Sequence, residues 1–158
     1  MLLIKILGGG LILSAGSFAA YSAVRFEKRK LSVIDGWIDL IFHIRSQIDC
    51  YLMPLDEILA CTDLEILKAC MCRTPHPDLS TLLHTSAPYL TCEGERLLTA
   101  FVKEIGGSYR EEQLRRCDYY INALRTIREK IADDLPARQK LCITISLCAA
   151  AGTAILLW

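Results

Sequence analysis

The sequence predicts an all-α protein, with a cytoplasmic helical bundle of two long antiparallel helices plus short helices, anchored by N- and C-terminal transmembrane helices. Three observations support this fold class. Hydrophobic residues make up 53% of the 158 residues, although charged residues still reach 23%. All but one of the charged side chains lie between Arg25 and Lys140, the exception being Lys5. Between those limits apolar residues recur at spacings of three and four, which is typical of helices.

The two ends of the chain are free of charge. Ile6–Val24 and Leu141–Trp158 contain no acidic or basic residue, and each approaches the ~20 residues that a membrane-spanning helix needs. A signal peptide is the alternative for the first segment, but the basic residues Arg25 and Lys28 follow the apolar run rather than precede it. A buried core helix is the alternative for the second segment.

These ends divide the chain into an N-terminal transmembrane helix at 1–24, a cytoplasmic helical domain at 25–140 and a C-terminal transmembrane helix at 141–158. Lysines and arginines flank the central region on both sides. Since basic residues are enriched on the cytoplasmic side of membrane proteins, the centre is expected to be cytoplasmic and the protein to lie in the cell membrane as a two-pass protein.

The central region begins with a long helix that ends before Pro54, because proline restricts the residue that precedes it. One face of this helix carries Ile34, Ile38, Ile41, Ile44 and Ile48, and a second stripe carries Val33, Trp37, Leu40 and Tyr51. Short helices are predicted from Pro54 over PLDEILA, over 64–72 after an Asp63 cap, and over 80–86. RTPHPDLS is predicted to be a loop.

Two further helices complete the bundle. Thr91 caps a helix that Gly106 and Gly107 stop. The spacing of Ser108 and Glu111 fits a capping box that opens the last helix. Pro136 is expected to kink or interrupt that last helix. Its apolar stripe, which is expected to pack on the first long helix, consists of Leu114, Cys117, Ile121, Leu124, Ile131 and Leu135.

Charge is distributed unevenly along the central region, although the net charge of the chain is zero. Residues 35–95 contain ten acidic and three basic residues. A solvated acidic surface is one interpretation, and a docking face for a basic partner is the other. The absence of a basic excess argues against nucleic-acid binding.

No motif indicates catalysis or a cofactor. The eight cysteines suit a reduced cytoplasmic protein as apolar core or surface thiols. Cys70, Cys72 and His76 loosely match the spacing of metal ligands, but a second ligand pair is missing. The sequence has no phosphate-binding glycine loop, zinc-protease motif or nucleophile elbow. We therefore expect no enzyme, cofactor, metal or small-molecule substrate.

Two segments resemble the stage III sporulation protein AB family. Over 97–113, LLTAFVKEIGGSYREEQ carries a leucine-rich helix, a glycine break, Ser108 and then Gln113, as the family does, with Tyr109 where the family usually has aspartate. MPLDEIL resembles a second recurrent segment of the family. The residues that carry the resemblance are Pro54, Leu55, Gly106, Gly107, Ser108 and Gln113.

The resemblance implies a role. The family is similar to the cytoplasmic domain of the F-type platform protein of type II secretion systems and acts in the mother-cell membrane around the forespore. The chain would then be a non-enzymatic scaffold of a secretion-like channel complex, bound to other proteins of that complex, including a secretion-type ATPase, and possible as a homo-oligomer. The motif residues could shape a partner-docking groove. A membrane-tethered helical signalling adaptor is the alternative function, and a small membrane enzyme that uses a cysteine is a third.

Overall fold

The fold is known from a computed structural model that describes residues 2–51, 53–72, 77–107 and 109–156. All regular structure in these ranges is helical, which confirms the all-α class. In chain order the elements are α1 (Leu2–Tyr51), α2 (Leu55–Cys61), α3 (Leu64–Ala69), α4 (Leu79–Ser86), a 3-10 turn (Ala87–Tyr89), α5 (Cys92–Glu104) and α6 (Arg110–Leu156).

The chain forms two compact units. The central unit is Arg29–Ile131, and the terminal unit consists of Met1–Lys28 and Ala132–Trp158. In the central unit, ion pairs join Asp35 to Arg128 and Arg45 to Asp118. Because residue numbers rise along one helix as they fall along the other, α1 and α6 are antiparallel here, as predicted.

The core of the central unit lies on the predicted face of α1. Trp37, Ile34, Ile41 and Ile44 have no exposed surface. The indole Nε1 of Trp37 donates a hydrogen bond of 3.0 Å to the Oγ of Ser86, which is equally buried. This bond ties α4 to α1 and satisfies a donor that would otherwise be costly to bury.

The face of α6 is wider than the predicted stripe. Cys117, Ile121 and Leu124 are buried as expected, but Tyr120 and Ile127 are buried as well. Tyr120 reaches into the core because its ring packs edge-on against Phe101, with 5.3 Å between ring centroids, and its hydroxyl donates to Glu104. Tyr51, which the sequence placed on the inner stripe of α1, is instead 70% exposed.

Most of the short helices begin where the sequence predicts. The carboxylate of Asp63 accepts the N–H of Glu65, and the hydroxyl of Thr91 accepts the N–H of Gly94, so both capping predictions are confirmed. The helix after Asp63 ends at Ala69 rather than Cys72, since Met71 adopts a left-handed backbone with φ of 64°. Of the predicted loop RTPHPDLS, residues 73–76 lie outside the described residues.

The predicted membrane anchors need correction. Among the described residues, no helix combines the length and the apolar character needed to cross a membrane, so the prediction of N- and C-terminal transmembrane helices is wrong for them. Small and hydroxyl side chains are less apolar than leucine or isoleucine, and both end segments contain several of them. Thr144 and Thr153, for example, lie in the second segment and donate to the carbonyls of Lys140 and Ala149.

Pro136 lies inside α6 and does not interrupt it. The prediction that Pro136 could interrupt the helix is therefore wrong. Proline removes a single backbone donor, and the helix continues on both sides of it to Leu156.

Candidate partner-binding site

Two of the motif segments converge in the central unit although fifty residues separate them. A Cβ atom built on Gly106 would lie 3.9 Å from a methyl carbon of Leu55, which is an ordinary van der Waals contact. Leu55 in turn packs against the hydrophobic core. We use the name motif surface for the described motif residues Pro54, Leu55, Gly106, Gly107 and Gln113, among which the structure shows Leu55 and Gly106 to be close.

The start of α2 fixes Pro54 and Leu55. Pro54 is the N-cap of α2, with φ of −65°, and its carbonyl accepts the N–H groups of Glu57 and Ile58, each at 3.1 Å. The sequence placed Pro54 in the first turn, so the structure moves it by one position. Ile58 is buried, and it anchors this short helix in the core.

The end of α5 fixes Gly106. The N–H of Ile105 donates to the carbonyl of Phe101, and the side chain of Ile105 is buried. Gly106 then turns the chain with φ of +95°, a conformation that L side chains rarely adopt. Gly107, by contrast, has a φ outside that region, and no heavy atom lies within 4 Å of the Cβ it lacks. One glycine is thus needed for the turn, whereas the next borders open space.

The start of α6 brings in Gln113. The carbonyl of Tyr109 accepts the N–H groups of Glu112 and Gln113, each at 3.0 Å, and the side chain of Gln113 is half-buried. Ser108, the predicted cap, lies outside the described residues, so its capping box is not seen. Tyr109, the residue that departs from the family pattern, is 90% exposed.

An ion pair holds the end of α1 against the start of α6. The guanidinium of Arg110 donates to the backbone carbonyl of Asp49 at 2.8 Å and to its carboxylate at 2.5 Å. Neither residue was singled out from the sequence as part of a site. In the sequence, each is only a charged residue near the end of a predicted long helix, and that does not show that the two residues pair.

The acidic region predicted from residues 35–95 is partly neutralised within the fold. Three of its acids lie within 4 Å of a basic residue, in the pairs Asp35–Arg128, Asp49–Arg110 and Glu93–Lys130. The adjacent carboxylates also raise the pKa of the guanidinium groups of Arg45 and Arg128, chiefly through the hydrogen bonds to Asp118 and Asp35.

The acids beside the motif surface are different. Asp56 and Glu57 follow Leu55 directly and are exposed. Within the part of the chain that the structure describes, neither forms an ion pair. Both stabilise the N-terminal end of α2 through its dipole, and together they give the motif surface an acidic border.

The buried cysteines are poor candidates for chemistry. Cys70, Cys72 and Cys117 are buried. Burial raises the pKa of the Cys70 thiol to about 12 and that of the Cys117 thiol to about 11. Since the thiolate is the nucleophile and the metal ligand, such thiols are unreactive at neutral pH.

No cluster of three potential metal ligands occurs among the described residues. His76, the third member of the loose ligand set with Cys70 and Cys72, lies outside them. His43 carries a buried Nε2 atom with no hydrogen-bond partner in the described ranges. A single imidazole nitrogen does not form a metal site, because zinc takes three or four protein ligands.

Comparison with known proteins does not extend these observations. No protein-family model, no curated protein and no solved structure matches the chain.

Proposed function

We propose that the chain is a non-enzymatic assembly platform of a secretion-like channel complex in endospore formation, and that it holds a cytoplasmic secretion-type ATPase through its motif surface. The observation that carries the proposal is the proximity of Leu55 to Gly106. These are the two places where the sequence resembles the stage III sporulation protein AB family, and the fold makes them neighbours.

The motif surface has the physical properties of a docking site. Its backbone is held by α2, by the left-handed turn at Gly106 and by the Arg110–Asp49 ion pair. A rigid surface loses little conformational entropy when a partner binds. Tyr109 is largely exposed, and tyrosine is enriched among the residues that dominate binding energy.

The chemistry of the partner follows from the acidic border. Asp56 and Glu57 favour a partner that presents lysine or arginine side chains there. Charges at the rim of an interface change mainly the association rate and its dependence on salt. We therefore expect the complex to form more slowly as salt concentration rises.

The terminal unit supports a role in assembly. It exposes several large apolar side chains, with exposed fractions of 72% for Phe18, 61% for Leu141 and 60% for Leu147. Contiguous exposed apolar patches mark interaction surfaces, and the number of large apolar side chains exposed in this short unit favours such a patch. We propose that this unit associates with other components of the complex at the mother-cell membrane around the forespore, with no transmembrane span assigned to it.

The proposal predicts that a secretion-type ATPase is encoded beside this chain, and co-purification with that ATPase tests the function. Gly107→Arg places a large side chain in open space on the motif surface, so the fold is retained. Asn122→Arg introduces the same arginine side chain at an exposed position three turns into α6 and serves as the matched control. We expect Gly107→Arg to lower ATPase recovery and spore counts about tenfold or more, at unchanged protein level, and Asn122→Arg to leave both unchanged.

Two outcomes would contradict the proposal. Normal sporulation after deletion of the gene would exclude the role in endospore formation. Equal ATPase recovery with the two arginine variants would exclude docking at the motif surface. Gln113→Ala examines one residue of that surface, and unchanged sporulation and protein level would remove Gln113 from the docking contact.

A further inference from the structure

A shallow groove runs between α4 and α5 in the central unit. Its volume is about 480 Å³. Half-buried apolar side chains line it, Leu83 and Ala87 from the α4 side and Val102 from α5. Glu95 and Lys103 are exposed at its edge. Ser80, His84 and Thr99 complete the lining. The groove therefore contains an apolar strip, and its α5 edge carries an acid at one end and a base at the other.

The charged edge is one row of side chains along α5. Glu95, Thr99 and Lys103 are four residues apart, so they form a single ridge of the helix. The ridge rises about 12 Å from Glu95 to Lys103 at ~1.5 Å per residue. A two-fold rotation about Thr99 exchanges the positions of Glu95 and Lys103.

The two charges of this ridge differ from the paired charges between α1 and α6. Within the described residues, Glu95 and Lys103 form no ion pair. The hydroxyl of Thr99 donates to the backbone carbonyl of Glu95 at 2.7 Å and leaves the carboxylate free. The charged residues between α1 and α6 behave differently, since Asp35, Arg45, Asp49, Arg110, Asp118 and Arg128 are all paired.

We propose that this face of α5 binds the same face of a second copy of the chain. The two α5 helices lie antiparallel with Thr99 at the two-fold axis, and Glu95 of each copy faces Lys103 of the other. A two-fold interface requires a self-complementary surface, and the ridge meets that requirement. Packing two such ridges side by side gives the commonest crossing of helices in globular proteins, about −50°. The proposal is independent of the platform function.

A role within one copy also suits the two charges, so the experiment has to separate the two roles. Glu95 lies in the first turn of α5 and Lys103 in the last, where each favours the dipole of its own helix. Reversing either charge weakens that interaction in every setting. Only pairing between copies predicts that mixing two defective variants restores the cross-linking that each has lost.

The test is photo-cross-linking of the full chain with p-benzoylphenylalanine in place of Thr99. Unlabelled and ¹⁵N-labelled copies are mixed, so mass spectrometry identifies cross-links between copies. We expect cross-links to the peptide 97–103 of the other copy. Lys103→Glu alone and Glu95→Lys alone are each expected to lower the yield about fivefold or more. Glu129→Lys, an exposed charge reversal on α6, is the control and should leave the yield unchanged.

Mixing the two single variants gives the decisive result. In each unlike pair, the lysine introduced by Glu95→Lys faces the glutamate introduced by Lys103→Glu, and the two unsubstituted side chains face each other at the second contact. Cross-links between unlike copies should therefore return to the level of the unmodified chain. Absent cross-links, cross-links to other segments, or equal yields with all variants would overturn the proposal. Because no ATPase is present, these results are separate from those that test the platform function.

Discussion

Gly36 lies where α1 passes close to the end of α3. The residue is buried, and a Cβ atom built on it would lie 2.8 Å from both the carbonyl carbon and the Cβ of Ala69. The carbonyl oxygen of Ala69 would be 3.1 Å away. Carbon atoms in favourable contact lie ~3.5–4.0 Å apart, so Gly36→Ala forces the two segments to move.

Two effects of Gly36→Ala oppose each other. Alanine favours the helix interior by ~1 kcal/mol relative to glycine. An added methyl group in a tightly packed core costs about 1–3 kcal/mol. The clash is with backbone atoms, which cannot rotate away as a side chain does, so the cost lies near the upper end of that range. We therefore expect a net loss of roughly 2 kcal/mol.

Thermal unfolding of the full chain, followed by circular dichroism, measures this loss. For a chain of about 150–250 residues 1 kcal/mol corresponds to ~2–4 °C, so we expect Tm to fall by roughly 6 °C. Gly152→Ala is the matched control, because no heavy atom lies within 4 Å of the position of its Cβ. It should not lower Tm.

A second substitution sharpens the prediction. Ala69→Gly removes the Cβ of Ala69 but leaves its carbonyl carbon and oxygen in place, so the pair Gly36→Ala with Ala69→Gly should stay destabilised. A Tm of Gly36→Ala at or above that of the unmodified chain would refute the reasoning. Full rescue by Ala69→Gly would show that only the side chains collide.

Two further predictions concern the buried polar groups of the central unit. Ser86→Ala removes the acceptor of the Trp37 indole N–H, and a buried donor without a partner costs ~1–3 kcal/mol. Urea unfolding should show that loss, whereas Ser80→Ala at the exposed surface should change the free energy of unfolding by no more than ~0.5 kcal/mol. Equal unfolding midpoints for the two variants would mean that the Trp37–Ser86 hydrogen bond contributes nothing. In the second, iodoacetamide at pH 8 is expected to modify the exposed Cys50, Cys61 and Cys92 but neither Cys70 nor Cys117, because burial raises the pKa of these two thiols to about 12 and about 11. Peptide mass spectrometry before and after unfolding measures this, and modification of Cys70 in the folded chain at the rate of Cys61 would contradict it.

Local signals in the sequence predicted much of the fold. The caps at Asp63 and Thr91 are found as expected because each depends on a side chain and a backbone N–H two or three residues away. The buried face of α1 was also predictable, since helical periodicity alone decides which side chains share a face. The end of α5 followed from the glycines at 106 and 107.

Other features could not be predicted from local pattern. Tyr51 has the spacing of an inner residue, yet it lies at the end of α1 beyond the core and is exposed. Tyr120 was missed because it needs Phe101 and Glu104, sixteen or more residues away, to make its burial favourable. The terminal segments were interpreted as membrane spans from their lack of charge. The absence of charge does not by itself give the apolar character that a span requires.

The candidate site divides in the same way. The sequence by itself singled out Pro54, Leu55, Gly106, Gly107, Ser108 and Gln113 as candidates through resemblance, and it predicted the helix ends on which most of them lie. The tertiary structure decided that Leu55 lies near Gly106 and that Arg110 binds Asp49. It also decided which acids remain unpaired at the surface. Propensity, capping and periodicity act over a few residues and depend on the local sequence. Contacts across fifty or more residues depend on how whole helices pack, and only the folded chain determines that packing.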